Sequence, residues 1–186
     1  MMIPPGENFY ERYLKITTAG KFENATPSER INLILSVKSP HDRRFSSQFM
    51  ETDVKLHSFT QKSPTHASAV FKFKVDKFYC NASGNLHGGA QSLIYDMLTS
   101  LVVQGIGRRD WWMNGGVSRS LNVTYLRPAP EGTEVLCEVE VMSAGKSLAL
   151  LRGVMRREVD GALVSTCEHD KAAVATKPGF PAGSKL

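Results

Sequence analysis

Two polar residues stand at positions that are poor choices for packing: Asp96, inside an otherwise apolar segment, and His87, in a glycine-rich stretch just ahead of it. A carboxylate on a helix that faces a cleft becomes a base or nucleophile as partial burial raises its pKa; on a solvated stripe it would be one more exposed Asp. Nine positions separate His87 from Asp96, which on an ideal helix is about 13.5 Å of rise and about 180° of rotation. One helix cannot aim both at one reacting group. If they share a site, it must be assembled from the His87 end of one subunit and the Asp96 face of another, and two-fold symmetry then gives two such sites.

Gly88 and Gly89 open the same segment. The first N–H groups of a helix have no intrahelical partner and carry the positive end of its dipole, so such a terminus can hold an oxyanion; equally, the glycines could serve only a sharp turn. Other candidates carry less. Cys80 has no base placed beside it and reads as a small packed hydrophobe. His169-Asp170 has no companion metal ligands and reads as an edge or hydrogen-bonded histidine. Trp111 and Trp112 read as core or rim packing, since no basic stripe surrounds them.

The elements that must position these groups follow from periodicity and turn chemistry. Ala90, Leu93, Ile94, Met97, Leu98, Leu101 and Val102 recur at helical spacing, predicting a central helix that stops near Gly105 and Gly107. Ahead of it, alternation from Ala67 to Val75 predicts a half-buried strand, with Val54 to Phe59 a candidate before it. After it, strands are predicted over Gly116 to Leu126, Thr133 to Met142, Ser147 to Val159 and Ala162 to Ala173, separated by Arg127-Pro-Ala-Pro-Glu-Gly, Ser143-Ala-Gly-Lys and Asp160-Gly161. This order predicts an α+β domain, a curved antiparallel sheet wrapped around one long helix. Residues 1–50 read as an N-terminal extension whose Thr26-Pro27-Ser28-Glu29 capping box opens a short helix through Leu35. Residues 51–175 read as the domain, and 176–186 as a flexible tail.

Composition sets the bounds. The chain has 186 residues, 41% hydrophobic and 22% charged, as for an ordinary globular domain. Its net charge of +5 is spread through short pairs such as Arg43-Arg44, Arg108-Arg109 and Arg156-Arg157, a pattern that argues against nucleic-acid binding. Cys80, Cys137 and Cys167 are an odd count without metal-ligand spacing, which implies free thiols. No leader peptide or membrane span is expected, so the sequons at Asn24, Asn81 and Asn122 read as chance matches. Ser184-Lys185-Leu186 matches the address read by the peroxisomal import receptor, and predicts a peroxisomal protein, or a cytoplasmic one if the signal is unused.

The run Asn81-Ala-Ser-Gly-Asn-Leu-His87-Gly88-Gly89, then Asp96, then Gly116-Val-Ser118 through Tyr125-Leu-Arg-Pro-Ala, resembles the hotdog-fold acyl-CoA thioesterases of the phenylacetate-pathway and acyl-CoA thioesterase 13-like branch, within the 4-hydroxybenzoyl-CoA thioesterase superfamily. The resemblance spans roughly residues 65–175 and leaves the N-terminal segment aside. It implies that Asp96 activates water, or attacks directly, against a thioester carbonyl polarised by the Gly88 N–H with help from Asn81. It further implies that His87 holds the site and the thiolate side, and that Ser118 positions the water or the carboxylate. Dimers or tetramers with shared active sites, acyl-CoA as substrate, and no metal or organic cofactor are implied too. Gly89, Arg127, Lys146, Arg156 and Arg157 are the candidates for coenzyme A contacts. Two rival readings on the same fold are an enoyl-CoA hydratase or dehydratase and a non-catalytic acyl-CoA or lipid binder.

Overall fold

The computed structural model describes residues 15–16, 20–38, 44–108 and 110–174; the tail with Ser184-Lys185-Leu186, and Arg43 and Arg109 of the basic pairs, lie outside them. Six strands form one antiparallel sheet: β1 (Lys55–Ser63), β2 (His66–Lys74), β3 (Val117–Tyr125), β4 (Glu134–Ala144), β5 (Leu148–Arg157) and β6 (Leu163–Ala172), in the spatial order β1-β2-β4-β5-β6-β3. The predicted strands are present within one or two residues of their expected ends, except that β1 runs to Ser63, four residues past Phe59. Strand β4 continues to Ala144, so the turn into β5 is confined to Gly145, Lys146 and Ser147.

The central helix, Gly88–Ile106, packs against every strand from β2 to β6. Its apolar stripe meets the inward residues of the sheet: Ala69, Phe71 and Phe73 of β2, Val135, Cys137, Val139 and Val141 of β4, and Leu151 and Met155 of β5 are all buried. The alternation of these residues with outward Lys and Glu is the period-2 pattern of a sheet covered on one face. Tyr95 seats the helix. Its ring lies where a Cβ on Gly153 would stand at 2.6 Å, so the strand beneath must carry glycine there. Its hydroxyl donates to the Ser165 carbonyl at 2.8 Å and accepts the Met155 N–H at 2.9 Å.

The described residues ahead of residue 51 contribute to this core. The helix Pro27–Leu35 opens on the expected capping box between Thr26 and Glu29, and its Ile31 and Ile34 are buried in the same apolar cluster as the central helix. Ile31 lies so close that a Cβ on Gly105 would meet it at 2.9 Å. Arg30 donates to the Phe22 carbonyl and to that of Gly107, the latter an acceptor where the central helix ends. Phe49, fully buried, packs edge-on against Phe73 of β2 with ring centroids 5.2 Å apart. An apolar stripe short of polar partners has to be covered, and these residues cover the C-terminal half of the central helix.

Candidate active site

His87 is the N-cap of the central helix, and its Nδ1 accepts the Gly89 N–H at 2.9 Å. That leaves Gly88, at the first helical position, with an N–H that has no partner among the described residues. Around it the chain is closely tied. Tyr125, the last residue of β3, donates to the Gly88 carbonyl at 3.0 Å, shares a 2.7 Å hydrogen bond with Ser92, and lays its ring 3.3 Å from where a Gly88 Cβ would be. The loop after β3 also holds the segment ahead of the helix, because the Leu86 N–H donates to the Ala129 carbonyl at 2.8 Å. Asn81 lies in a turn whose N–H groups at Ser83 and Asn85 donate to its side-chain oxygen at 3.0 and 3.2 Å, an arrangement that leaves its Nδ2 as the available donor.

Asp96 points the other way, toward β3 and β6. The Ser118 hydroxyl donates to its Oδ1 at 2.5 Å, and Nε2 of His169 lies 3.4 Å from the same oxygen. Oδ2 has no partner among the described residues, and the side chain is 38% exposed. Ser118 reaches Asp96 through a β-bulge. Leu121, Val123 and Tyr125 pair with His169, Cys167 and Ser165 on the inward face, and strict alternation from there would turn Ser118 outward. The extra residue, Arg119, shifts the register and sets Ser118 opposite Lys171, facing in. Gly116, at φ 66°, feeds the strand into this position, and a Cβ there would stand 2.4 Å from the Ala172 carbonyl oxygen.

Beneath Asp96 lies a buried polar layer. His169 is fully buried, with its Nδ1 2.6 Å from the Thr99 hydroxyl and its Nε2 making no hydrogen bond. Burial, with a smaller push from Lys171, drops its pKa to about 4, so the ring is neutral at neutral pH. Lys171, 2% exposed, donates to the Ser100 hydroxyl at 2.7 Å and reaches the Ser118 hydroxyl at 3.5 Å. Burial lowers its pKa too, against the pull of Asp96.

The family model described as the thioesterase superfamily matches residues 83–164, the stretch that carries His87, Gly88, Asp96 and Ser118. Over that stretch the chain is similar to the thioesterase superfamily. It is similar to human acyl-coenzyme A thioesterase 13, 28% identical over 116 residues that cover 62% of this chain and 80% of that one. In structure it matches zebrafish thioesterase superfamily member 2 with a TM-score of 0.63 at 22% identity, over 81% of this chain and 100% of that chain. A thioesterase protein from Streptococcus pneumoniae, solved with coenzyme A, matches with a TM-score of 0.56 at 18% identity, over 67% of this chain and 88% of that one. These likenesses establish the hotdog fold.

Within the hotdog domain the residues singled out by sequence form two groups. His87, Gly88, Gly89 and Tyr125 gather at the start of the helix, while Asp96 and Ser118 meet two turns further on. Eight helical positions, about 12 Å of rise, separate Gly88 from Asp96, so one chain does not bring them together. The basic candidates divide as well. Arg157 forms a bidentate pair with Asp160, at 2.6 and 3.2 Å, and Arg156 lies 3.5 Å from Glu138. Arg127 donates to the Leu163 carbonyl, and Lys146 stands exposed in the β4–β5 turn. Arg127, Arg156 and Arg157 share the sheet end near Tyr125, and Lys146 lies at the end near Ser118.

The sequence reading passed over Lys171; of its two readings of His169, edge or hydrogen-bonded, the second holds, in a buried ring bonded to Thr99. The signal was parity: both share the inward face of β6 with buried Cys167, while Glu168 and Asp170 point out. Among the described residues no three His, Cys, Asp or Glu side chains come together as a metal site, and no helix is long and apolar enough to cross a membrane.

Proposed function

We propose that this chain is an acyl-CoA thioesterase whose active site is completed by a second copy. The observation that carries the reading is the half-exposed Asp96 carboxylate, fixed on one oxygen by Ser118 and open on the other, within a thioesterase-superfamily domain. The related human protein is named for acyl-coenzyme A hydrolysis, and the pneumococcal neighbour was solved with coenzyme A.

Strand β3 supports the second copy. It is an edge strand of nine residues with open backbone groups on its outer side, and Val117, Tyr125 and the adjacent Leu126 are about half exposed, as is Leu93 of the helix to a lesser degree. A long apolar edge of this kind has to be covered. Antiparallel pairing of β3 with its own copy about a two-fold axis near Asn122 sets Ser118 and Asp96 of one protomer near Tyr125 and Gly88 of the partner subunit.

In that arrangement the thioester carbonyl oxygen accepts the free Gly88 N–H at a helix N-terminus, with the Asn81 Nδ2 as second donor and His87 holding the turn that presents both. Asp96 takes a proton from water through Oδ2 as the water oxygen bonds to the carbonyl carbon. The oxyanion collapses, the carbon–sulfur bond breaks, and the proton passes from Asp96 to the departing coenzyme A thiolate. Arg127 and Lys146 are the basic candidates not tied to a carboxylate, and they are the better choices for phosphate contacts. Import through Ser184-Lys185-Leu186 would place the activity in the peroxisome.

The deciding experiment follows free thiol release from short, medium, long and aromatic acyl-CoA esters by the wild type and Asp96→Asn. Turnover by the wild type with a loss of about 100-fold in the variant is expected. Hydration of an enoyl-CoA without thiol release, or tight acyl-CoA binding without turnover, would each replace the proposal.

A further inference from the structure

Lys171 is a donor only, since an ammonium group carries three N–H bonds and no lone pair. Its two neighbours in the buried layer are both serines, and both touch Asp96. Ser100 sits 2.7 Å from Lys171 and 2.6 Å from the Asp96 backbone carbonyl; Ser118 sits 3.5 Å from Lys171 and 2.5 Å from the Asp96 carboxylate. A serine hydroxyl has one proton and can point it either way. Next to an ammonium it must accept, so its own proton is sent to the other neighbour. From these contacts we infer that Lys171 is a positioning residue that fixes the hydroxyl protons of Ser118 and Ser100 toward Asp96, holding Oδ1 and reserving Oδ2 for the water.

Three further observations converge on this role. A lysine 2% exposed is costly to bury, and no carboxylate touches it among the described residues; the charge that answers it is Asp96, one serine away. The bulge at Arg119 exists at the one place where it brings Ser118 over Lys171, where plain alternation would not. Finally, His169 presents Nε2 to the same Oδ1 without a hydrogen bond, so Ser118 is the only hydrogen-bond donor to that oxygen among the described residues, and its direction decides which oxygen stays free.

The inference rests on the thioesterase reading, and the test separates the two. Thiol release is measured for the wild type, Asp96→Asn, Lys171→Met, Lys171→Gln, Ser118→Ala and the double variant Lys171→Met with Ser118→Ala, together with the melting temperature of each. Lys171→Met is expected to lower kcat about 10-fold, the rate equivalent of one charge-assisted hydrogen bond, with KM within about two-fold. Its melting temperature should hold or rise, because a methionine buries well where an ammonium does not. In the Ser118→Ala background the same change should cost less than about two-fold, since the hydroxyl through which it reaches the Asp96 carboxylate is gone. Lys171→Gln, which can accept as well as donate, should fall between wild type and methionine.

Unchanged kcat in Lys171→Met, or losses that multiply in the double variant, would overturn the inference while leaving Asp96 in place. So would failure of both Lys171 variants to fold where Ser118→Ala folds. An active Asp96→Asn would instead remove the thioesterase mechanism, and this inference with it.

Discussion

Arg119 donates to Asp170 at 3.0 Å on the outer face of the sheet, directly behind the bulge that turns Ser118 inward. Asp170 points out because its neighbours His169 and Lys171 point in. The ion pair therefore joins the extra residue of the bulge to the strand that carries the buried layer.

The bulge can be tested from outside the site. An exposed pair of this kind is worth about 1 kcal/mol or less, so Arg119→Ala should scarcely move the urea midpoint. The rate should respond more than the stability, with kcat falling about three-fold or more as Ser118 loses its aim. Equal kcat in the variant, at equal stability, would show that the bulge holds without its clamp.

The shared site predicts complementation. Gly88→Pro removes the backbone N–H proposed to hold the oxyanion beside the Asn81 Nδ2, at the first helical position where proline is best tolerated, after a residue already extended at ψ 138°. Its kcat should drop about 100-fold or more. Each of Gly88→Pro and Asp96→Asn is nearly inactive alone. Refolded together in equal amounts, they should recover about one quarter of wild-type activity, because half the dimers are mixed and each of those has one intact site of two. No recovery on mixing, with dimers present, would place Gly88 and Asp96 in separate functions.

Acid should weaken the fold through His169. Its pKa in the folded protein is about 4, below the value of about 6.5 in an unfolded chain, chiefly through burial. Between those values the unfolded chain binds the proton and the folded one does not. Stability is therefore full above about pH 6.5 and falls by up to about 1.4 kcal/mol per unit as the pH drops toward 4. Lys171 adds to the depression, while Asp96 and Asp170 oppose it. Urea unfolding at a series of pH values should show this slope in the wild type and a flatter curve in His169→Gln. Parallel curves would assign the acid sensitivity to other groups.

Much of the fold was legible because its strongest signals are local. Ala90 to Val102 keeps helical spacing, Val135 to Val141 alternates cleanly, and Asp160-Gly161 marks its turn, so these elements lie where their residues put them. Sheet order was not legible. Strand β3 pairs with β6 rather than with its successor β4, and nothing within either strand names its neighbour. In the site, His87 and Asp96 stood out as polar residues in apolar or glycine-rich company. Their separation on one helix already required a second chain. The bulge at Arg119 was hidden because one extra residue leaves a sequence of mixed polarity looking much the same. Lys171 was hidden by the general rule that lysines face water, which fails where a neighbouring carboxylate makes burial useful.

The stretch that matches the thioesterase-superfamily model begins at residue 83, after β1 and β2 in the chain and well after Ile31, which packs against Gly105. The matched stretch and the buried core thus cover different lengths of the same polypeptide. The apolar core reaches back to Phe22, which is 1% exposed and belongs to the same cluster as the buried residues of the sheet. Changes far upstream of the shared stretch, at Phe22, Ile31 or Phe49, would be felt at the helix that bears Asp96. For this chain, the stretch that the family model matches is shorter than the core that packs around the helix bearing Asp96.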